Sequence, residues 1–320
     1  MEKIIFGAFL IFISLATACS SQATTQNNNL AVRPAASSQE AKTDDNQTGE
    51  LQKQIEQAAS AAKGRVGVAA TILETGESIS LLPGERFPMQ SVYKLPIGMV
   101  ALREVDAGKL KLDQKIRVEK SDFVRQGMHS PLRDKNPNGA EASVEELLRL
   151  SVSESDGTAS DVLFRLAGGA EAIGKFLNEI GVSEVIVADP EKTIGRDWKT
   201  QYSNWASPNG AISLLRALHE RRGLSESSQA LMLKLLTEAT TGPRRLKGLL
   251  PKGTNVAHKT GTSGTRNGIT AATNDIGIIS LPNGKHLAIA VFVSDAAADG
   301  TTRERVIAEI AKAVWDKWSK

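Results

Sequence analysis

The segment FPMQSVYK at residues 87–94, continued by LPIGMV to residue 100, places a serine and a lysine three positions apart where an apolar helix begins. Residues at this spacing share one face of a helix, so we expect the amine of Lys94 beside the hydroxyl of Ser91. A serine becomes a useful nucleophile when a base removes its proton, and an amine with a lowered pKa can be that base. Taken alone, the pattern is also typical of a polar pair on a surface helix.

The second motif, Ser155-Asp156-Gly157, follows the first along the chain and lies between two helical patterns. A loop in this place can direct Ser155 into a cleft. The alternative is structural, because Ser155 or Asp156 can cap the helix that begins near Thr158.

The third motif is HKTGTSG at residues 258–264, just before a strand-like run. Lys259 and the hydroxyls of Thr260 and Thr262 can bind a carboxylate through charge-assisted hydrogen bonds. Gly261 has no side chain, so a ligand can lie against its backbone. A glycine-rich loop without a binding role is the alternative.

Strand and helix patterns predict an α+β fold with a sheet built from both termini. The strand patterns lie at residues 66–73, 78–82, 275–281 and 286–293, and the Asn-Gly pair at 283–284 indicates a hairpin. Helical patterns cover residues 51–63, 91–108, 143–150, 158–167, 170–180, 208–221, 225–237 and 302–318. Because the helices of the middle interrupt the strands, we expect a helical lobe inserted into an antiparallel sheet.

The first 19 residues predict an export signal. Lys3 precedes an apolar stretch at residues 4–15, which is shorter than the roughly 20 residues of a membrane-spanning helix. Residues 16–19, Ala-Thr-Ala-Cys, resemble a bacterial lipobox and predict a lipidated Cys19, with a chance cysteine as the alternative. Residues 20–49 are rich in Ser, Gln, Asn and Thr, and we expect a disordered tether.

The composition argues against several other classes of function. The 39 Lys and Arg residues nearly balance the 36 Asp and Glu residues, and no basic run predicts nucleic-acid binding. Cys19 is the only cysteine, so no intramolecular disulfide can form. His129, His219, His258 and His286 show no metal-ligand spacing, so we expect no metal and no other cofactor.

The ordered motifs and their flanks resemble class A serine β-lactamases. Ser-x-x-Lys, Ser-Asp-x and Lys-Thr-Gly occur in the order typical of that family and of penicillin-binding proteins. The likeness includes residues 87–94, the connector TGPRRLKGLLP at 241–251, and HKTGTSGTRNGITAATND at 258–275. The last segment is similar to the branch rich in cephalosporinases and extended-spectrum enzymes. Together with Cys19, the resemblance indicates a lipoprotein form.

The resemblance implies both a fold and an activity for residues 50–320. The fold is β-lactamase/transpeptidase-like, with a five-stranded antiparallel sheet flanked by helices (residues about 50–85 and 206–320) and an inserted all-helical lobe (about 86–205). The activity is that of a hydrolase acting on cyclic amides, which opens the β-lactam ring of penicillins and cephalosporins and so confers antibiotic resistance.

The resemblance also implies catalytic roles. Ser91 attacks the lactam carbonyl, Lys94 helps to remove its proton, and Ser155 passes a proton to the departing nitrogen. In the loop at residues 187–198, Glu191 activates the water that releases the acyl group. Asp189 is a less favoured alternative because its side chain is shorter.

Substrate contacts and partners follow from the same resemblance. Lys259, Thr260, Gly261 and Thr262 bind the substrate, and the backbone amides of Ser91 and Thr262 form the oxyanion hole. The expected partners are β-lactam antibiotics and, through the N-terminal lipid, a membrane. We expect a periplasmic monomer anchored by its lipid, with the outer membrane slightly favoured.

Three positions depart from the family pattern. Gly157 stands where the family usually has an Asn that contacts the substrate, and Gly195 stands where many members have an Asn that holds the hydrolytic water. His129 stands where relatives often place an aromatic residue, either as a gate or as part of a plain surface loop. A DD-peptidase that deacylates slowly, and a binding lipoprotein without activity, therefore remain alternatives.

Overall fold

The computed structural model describes residues 38–320, with side chains from residue 48 onward. The predicted signal, Cys19 and the tether up to residue 37 lie outside the described residues. Helix α1, Ser38–Ser60, begins well before the predicted start at residue 51, so residues 38–49 of the segment predicted as a tether are helical. Leu51 and Ile55 are buried and anchor the helix. Extending an anchored helix is easier than nucleating one, which accounts for the longer helix.

The strands form one large sheet and two small ones. In chain order the strands are β1 Arg65–Ile72, β2 Ser78–Leu81, β3 Phe87–Pro88, β4 Lys115–Val118, β5 Ala140–Ser143, β6 Val185–Ile186, β7 Trp205–Ala206, β8 Val256–Thr262, β9 Thr265–Arg266, β10 Ile269–Ser280 and β11 His286–Ala296. The large sheet follows the order β2-β1-β11-β10-β8, and β9 pairs with β10. Its neighbouring strands are antiparallel, so the predicted five-stranded sheet is confirmed and gains the two-residue strand β9.

The helices after α1 lie mainly between β3 and β8. They are α2 Lys94–Asp106, α3 Pro131–Lys135, α4 Val144–Val152, α5 Gly157–Leu166, α6 Gly169–Glu179, α7 Glu191–Ile194, α8 Pro208–His219, α9 Glu226–Thr237 and α10 Gly300–Trp318. The predicted interval 86–205 is mainly helical, and it also contains the pair β4–β5 and the small sheet β3-β7-β6. Among residues 38–320, no helix is both long enough and apolar enough to cross a bilayer.

Two hydrophobic cores lie on opposite faces of the large sheet, within the compact unit of residues 43–320. Strand β11 serves both, because successive side chains of a strand point to opposite faces. One face carries Leu287, Ile289, Val291 and Val293 and packs against α1 and α10. The other carries Ala288, Ala290 and Phe292 and joins the core of the helical part. This double burial explains why β11 is almost continuously apolar.

The sheet also positions the segment that contains Ser91. The amide of Asn274, in β10, donates hydrogen bonds to the carbonyls of Pro88 (2.8 Å) and Met89 (3.1 Å). A 3-10 turn at Gln90–Tyr93 follows and leads into α2. The beginning of the predicted nucleophile helix is therefore tied to the sheet by side-chain hydrogen bonds.

Folding also brings together residues that are far apart in sequence. The rings of His219 and His286 lie 4.7 Å apart between centroids, next to Glu74. The spacing of the histidines in the sequence did not indicate this pair, because α8 and β11 meet only in the fold.

Candidate active site

A cavity of about 820 Å³ lies beside the Ser91 turn. Of the residues predicted to form the site, its lining contains Ser91, Ser155, Glu191, Thr260 and Thr262. The lining also carries four arginines, Arg125, Arg196, Arg245 and Arg266. Several positive charges around one concave surface favour an anionic ligand.

The two predicted lysines lie behind this surface, and both are 1% exposed. The Nζ atom of Lys94 donates to the backbone oxygen of Ser155 at 2.7 Å and lies 3.2 Å from Oε2 of Glu191. The Nζ atom of Lys259 donates to the hydroxyl of Ser155 at 3.0 Å. Burial, and then the neighbouring Lys94, lower the pKa of Lys259 well below its usual value. Both amines are therefore held against Ser155.

Ser155 occupies an unusual backbone conformation. Its φ is 62°, in the left-handed region that non-glycine residues seldom adopt, at a cost of about 1–3 kcal/mol. The next residue, Asp156, is fully buried and caps α5, because it accepts from the amide of Ala159 at 2.9 Å. The two interpretations of this motif therefore apply to different residues: Asp156 is the helix cap, and Ser155 lines the cavity.

Gln90, directly before Ser91, also has a left-handed φ, of 47°. Its side-chain amide donates to Oε1 of Gln201 at 3.0 Å, and that of Gln201 donates to the carbonyl of Trp198 at 2.8 Å. These bonds connect the Ser91 turn to the segment that follows α7.

Strand β8 carries the Lys-Thr-Gly motif to the cavity. A β-carbon added at Gly261 would lie 2.2 Å from the carbonyl oxygen of Met89, so the close neighbour of this glycine is protein backbone. Gly261 is absent from the residues that line the cavity. Its small size therefore lets β8 approach the Ser91 turn, which differs from the predicted reason of space for a ligand.

Arg245 is a site residue that the sequence argument did not single out. Its guanidinium donates to the hydroxyl of Thr262 at 2.7 Å and to the carbonyls of Gly261 at 3.2 Å and Asn274 at 2.9 Å. Glu304 pairs with its Nε at 3.3 Å. The sequence signal for Arg245 lies in the connector at residues 241–251, where two consecutive arginines occur.

Glu191 begins α7 and points to the Lys94 side of the cavity. Its carboxylate accepts a hydrogen bond from the hydroxyl of Tyr93, whose pKa is raised well above its usual value by burial and then by the charges of Glu191 and Asp161. The phenol thus stays protonated and remains a donor. Asp189, the alternative acid, accepts from the hydroxyl of Ser203 at 2.6 Å instead.

Asp161, on α5, holds the start of α7. Its carboxylate accepts from the amides of Glu191 at 2.6 Å and Lys192 at 3.0 Å. Burial raises the pKa of Asp161 to about 7, against the lowering effect of those two hydrogen bonds. The position of Glu191 therefore depends on an acid that titrates near neutral pH. Asp161 lies one helical turn after Gly157, and this spacing could have indicated it from the sequence.

The two glycines that depart from the family pattern both lie against side chains. A β-carbon at Gly157 would lie 2.9 Å from Cγ of Glu191, and one at Gly195 would lie 2.5 Å from Sδ of Met128. The carbonyl of Gly195 also accepts two hydrogen bonds from Arg125, at 2.7 and 3.0 Å. Larger residues at these positions would displace Glu191 or Met128.

His129 lies in the cavity lining and is exposed. Its Nε2 atom lies 2.8 Å from the carbonyl oxygen of Glu154, and its own carbonyl accepts from the amide of Gly157 at 2.9 Å. The residue thus packs against the Ser155 loop at the edge of the cavity.

Comparison with known proteins identifies the family. The model of the β-lactamase enzyme family matches residues 50–318. This chain belongs to the class A serine β-lactamases. It is 46% identical to the extended-spectrum β-lactamase PER-1 of Pseudomonas aeruginosa, over 83% of this chain and 86% of that protein. It is 40% identical to the β-lactamase VEB-1 of the same organism, over 84% and 91% of the two chains.

Solved β-lactamase structures have the same fold. The TLA-3 extended-spectrum β-lactamase is 43% identical with a TM-score of 0.82, and the match covers 85% of this chain and all of that one. A β-lactamase from Chitinophaga pinensis is 42% identical with a TM-score of 0.81, over 84% and 99% of the two chains. The predicted fold class and the prediction of a β-lactamase hydrolase are therefore confirmed.

Proposed function

We propose that this β-lactamase opens the ring of penicillins and cephalosporins through an acyl-enzyme on Ser91, and thereby confers antibiotic resistance. The observation that carries the proposal is the convergence of Lys94, Ser155, Lys259 and Glu191 by hydrogen bonds and an ion pair beside the cavity that Ser91 lines.

In the acylation step, the Ser91 oxygen attacks the lactam carbonyl carbon as its proton moves toward Lys94. The lactam C–N bond then breaks, the nitrogen takes a proton from the hydroxyl of Ser155, and Ser155 recovers the proton that Lys94 accepted from Ser91. The Lys259 amine beside that hydroxyl can stabilise the oxygen as it gives up the proton. The backbone amides of Ser91 and Thr262 stabilise the oxyanion, and one such donor typically contributes about a hundred- to a thousandfold in rate.

Substrate binding uses the cationic part of the cavity. The carboxylate of the antibiotic binds to the hydroxyls of Thr260 and Thr262, which line the cavity, with Lys259 behind them, while Gly261 keeps β8 close to Ser91. Arg245 donates to Thr262 and adds a second positive charge to this part of the site. The large lysine and arginine content of the site suits an anionic substrate.

In the deacylation step, Glu191 removes a proton from water, whose oxygen attacks the ester carbonyl. The ester C–O bond then breaks, and the Ser91 oxygen recovers a proton that Glu191 returns through its ion-pair partner Lys94. This carboxylate favours the lactamase over the DD-peptidase alternative, since a slow peptidase has no need of it. The relatives PER-1, VEB-1 and TLA-3 are all named as β-lactamases. The extended-spectrum names of PER-1 and TLA-3 support the inclusion of cephalosporins among the substrates.

The proposal is tested by turnover of a chromogenic cephalosporin together with mass spectrometry of the protein. Wild-type protein should show steady turnover, whereas Ser91→Ala should show neither turnover nor a covalent adduct while keeping the wild-type circular dichroism spectrum. Retained turnover in Ser91→Ala would remove the nucleophile assignment. A stoichiometric burst without steady turnover in the wild type would instead favour the DD-peptidase, and absence of any adduct would favour a binding lipoprotein.

We also propose that the enzyme acts in the periplasm as a lipoprotein anchored through Cys19. The support is the sequence of residues 1–19, with its short apolar stretch and lipobox-like end. Cys19→Ala should move the activity from the membrane pellet to the soluble fraction. An unchanged pellet fraction would contradict the lipid anchor.

A further inference from the structure

Three potential metal ligands meet at an end of the large sheet that is far from the catalytic cavity. Glu74 follows β1, His219 is the last residue of α8, and His286 is the first residue of β11. Asp275 of β10 pairs with Thr260 on one side and with Val291 of β11 on the other. Val291 lies five residues along β11 from His286. At roughly 3.4 Å per residue, this is about 17 Å along the strand. None of the three ligands lines the cavity.

The three side chains are close and partly ordered by their own contacts. Their ligand atoms all lie within 4.8 Å of one another. One carboxylate oxygen of Glu74 accepts from Nδ1 of His286 at 2.7 Å, and the other accepts from the backbone amide of His286 at 2.9 Å. Nε2 of His219 lies 3.9 Å from the same carboxylate. Glu74 is therefore oriented by a backbone donor, independently of either imidazole.

The backbone beneath the cluster is fixed by the sheet and by α8. The amide of Leu73 donates to the carbonyl of His286 at 2.9 Å, and Arg216 donates to the carbonyl of Leu73 at 3.0 Å. Arg216 also pairs with Glu220 at 3.7 Å, so its charge is partly compensated next to the cluster. The three ligands are thus presented by well-anchored elements.

The donor set has the chemistry of a zinc-class site. Two imidazoles and one carboxylate are a set that binds Zn²⁺, with nitrogen and oxygen atoms at about 2.0–2.2 Å from the ion. Donors around such an ion lie about 3.3 Å apart, so the 3.9 Å separation of His219 from Glu74 must shorten and the 2.7 Å separation of His286 from Glu74 must lengthen. The side chains are 29–37% exposed and have room to rotate.

We propose that Glu74, His219 and His286 bind one divalent transition-metal ion of the zinc class, with water in the remaining position. The ion would join the turn after β1, the end of α8 and the start of β11. It would stabilise the folded chain, because an ion that binds only the folded state shifts the unfolding equilibrium. It would have no part in β-lactam hydrolysis.

The experiment uses full-length protein freed of metal with a chelator and titrated with ZnCl₂ by isothermal titration calorimetry. We expect one equivalent to bind, and a zinc concentration about a hundred times the dissociation constant to raise Tm by roughly 5 °C. His219→Gln and His286→Gln should each weaken binding about tenfold or more and lower the rise in Tm by about half or more. His129→Gln removes another exposed histidine and should bind zinc as the wild type does.

Each outcome of this zinc titration either supports or overturns the proposed metal site. Absence of stoichiometric binding to the wild type, or equal binding by wild type and both histidine variants, would overturn it. Loss of binding in His129→Gln alone would place the ion elsewhere and would also overturn it. If a histidine variant has a lower metal-free Tm, Glu74→Gln supplies the test, since it keeps the side-chain shape and removes only the charged ligand. Turnover of the chromogenic cephalosporin should be the same with and without zinc.

Discussion

The two walls of the catalytic cavity are built differently. The wall with Ser91 is fixed to the large sheet. Asn274 of β10 donates hydrogen bonds to the segment before the Ser91 turn, and β8 packs closely against Met89. The wall with Glu191 consists of a helix of four residues, whose first amides are held by the carboxylate of Asp161. Acylation thus uses groups fixed by the main core, whereas deacylation uses a group fixed by a few polar contacts. Substitutions should therefore separate the two steps.

The largest effect is expected from Glu191→Gln. The amide keeps the size of the side chain but cannot act as a base, so steady turnover should fall by about a hundred- to ten-thousandfold. Because Ser91 and its wall are unchanged, the covalent adduct should accumulate and be visible by mass spectrometry. If turnover fell without an adduct, Glu191 would be needed for acylation as well, and the two walls would not be separable.

A smaller effect, on acylation and not on deacylation, is expected from Lys259→Met. The change removes the charged partner of the Ser155 hydroxyl, and one such hydrogen bond contributes about 1.5–3 kcal/mol. We expect kcat/KM to fall about ten- to a hundredfold, with no accumulated adduct, because the acylation step is the one that slows. The exposed Lys252→Met is the control. An adduct that builds up in Lys259→Met would contradict the assignment of this residue to acylation.

Gly157→Ala should slow deacylation by about tenfold, because its β-carbon would press on the side chain of Glu191. Gly84→Ala is a matched control, since no atom lies within 4 Å of the added carbon there. Single-turnover kinetics would measure both steps. Equal slowing of acylation and deacylation would show that the alanine disturbs the whole Ser155 loop.

The smallest effect concerns stability and pH at Asp161. Burial raises its folded-state pKa from 3.8 to about 7, so the folded state binds the proton more tightly than the unfolded state. The contribution of Asp161 to the free energy of unfolding therefore favours the folded state at acid pH, and it is lost as pH rises from about 4 to 7. On going from pH 5 to pH 8, the Tm of wild type should fall by about 5 °C relative to that of Asp161→Asn. Parallel Tm profiles for the two proteins would contradict the raised pKa.

The wall with Ser91 was largely predictable from the sequence, and the wall with Glu191 was not. Ser91, Lys94 and the Lys-Thr-Gly motif follow local patterns of spacing, and the strands of both termini show clear periodicity. Helix α7 depends on contacts between distant segments that no local pattern records. For Asp161 and Arg245 the sequence offers only a spacing and a pair of arginines, and the segments that they contact are visible only in the fold. The meeting of His219 with His286 also joins distant segments.

The small residues were the hardest to interpret. Gly261 suggested space for a ligand, yet its neighbour is the carbonyl of Met89. Gly157 and Gly195 suggested lost contacts, yet the side chains of Glu191 and Met128 occupy the space beside them. At these three glycines the missing side chain leaves room for a close neighbour, and only the fold shows what that neighbour is.

The pairing of β1 with β11 has a consequence for biosynthesis. Arg65 lies opposite Ser294, and Ile72 lies opposite Leu287, so the first strand finds this partner only when nearly the whole chain has been made. Contacts so distant in sequence form slowly, because a very long loop must close first. The large sheet of a nascent chain can therefore be completed only after β11, at residues 286–296, has been made.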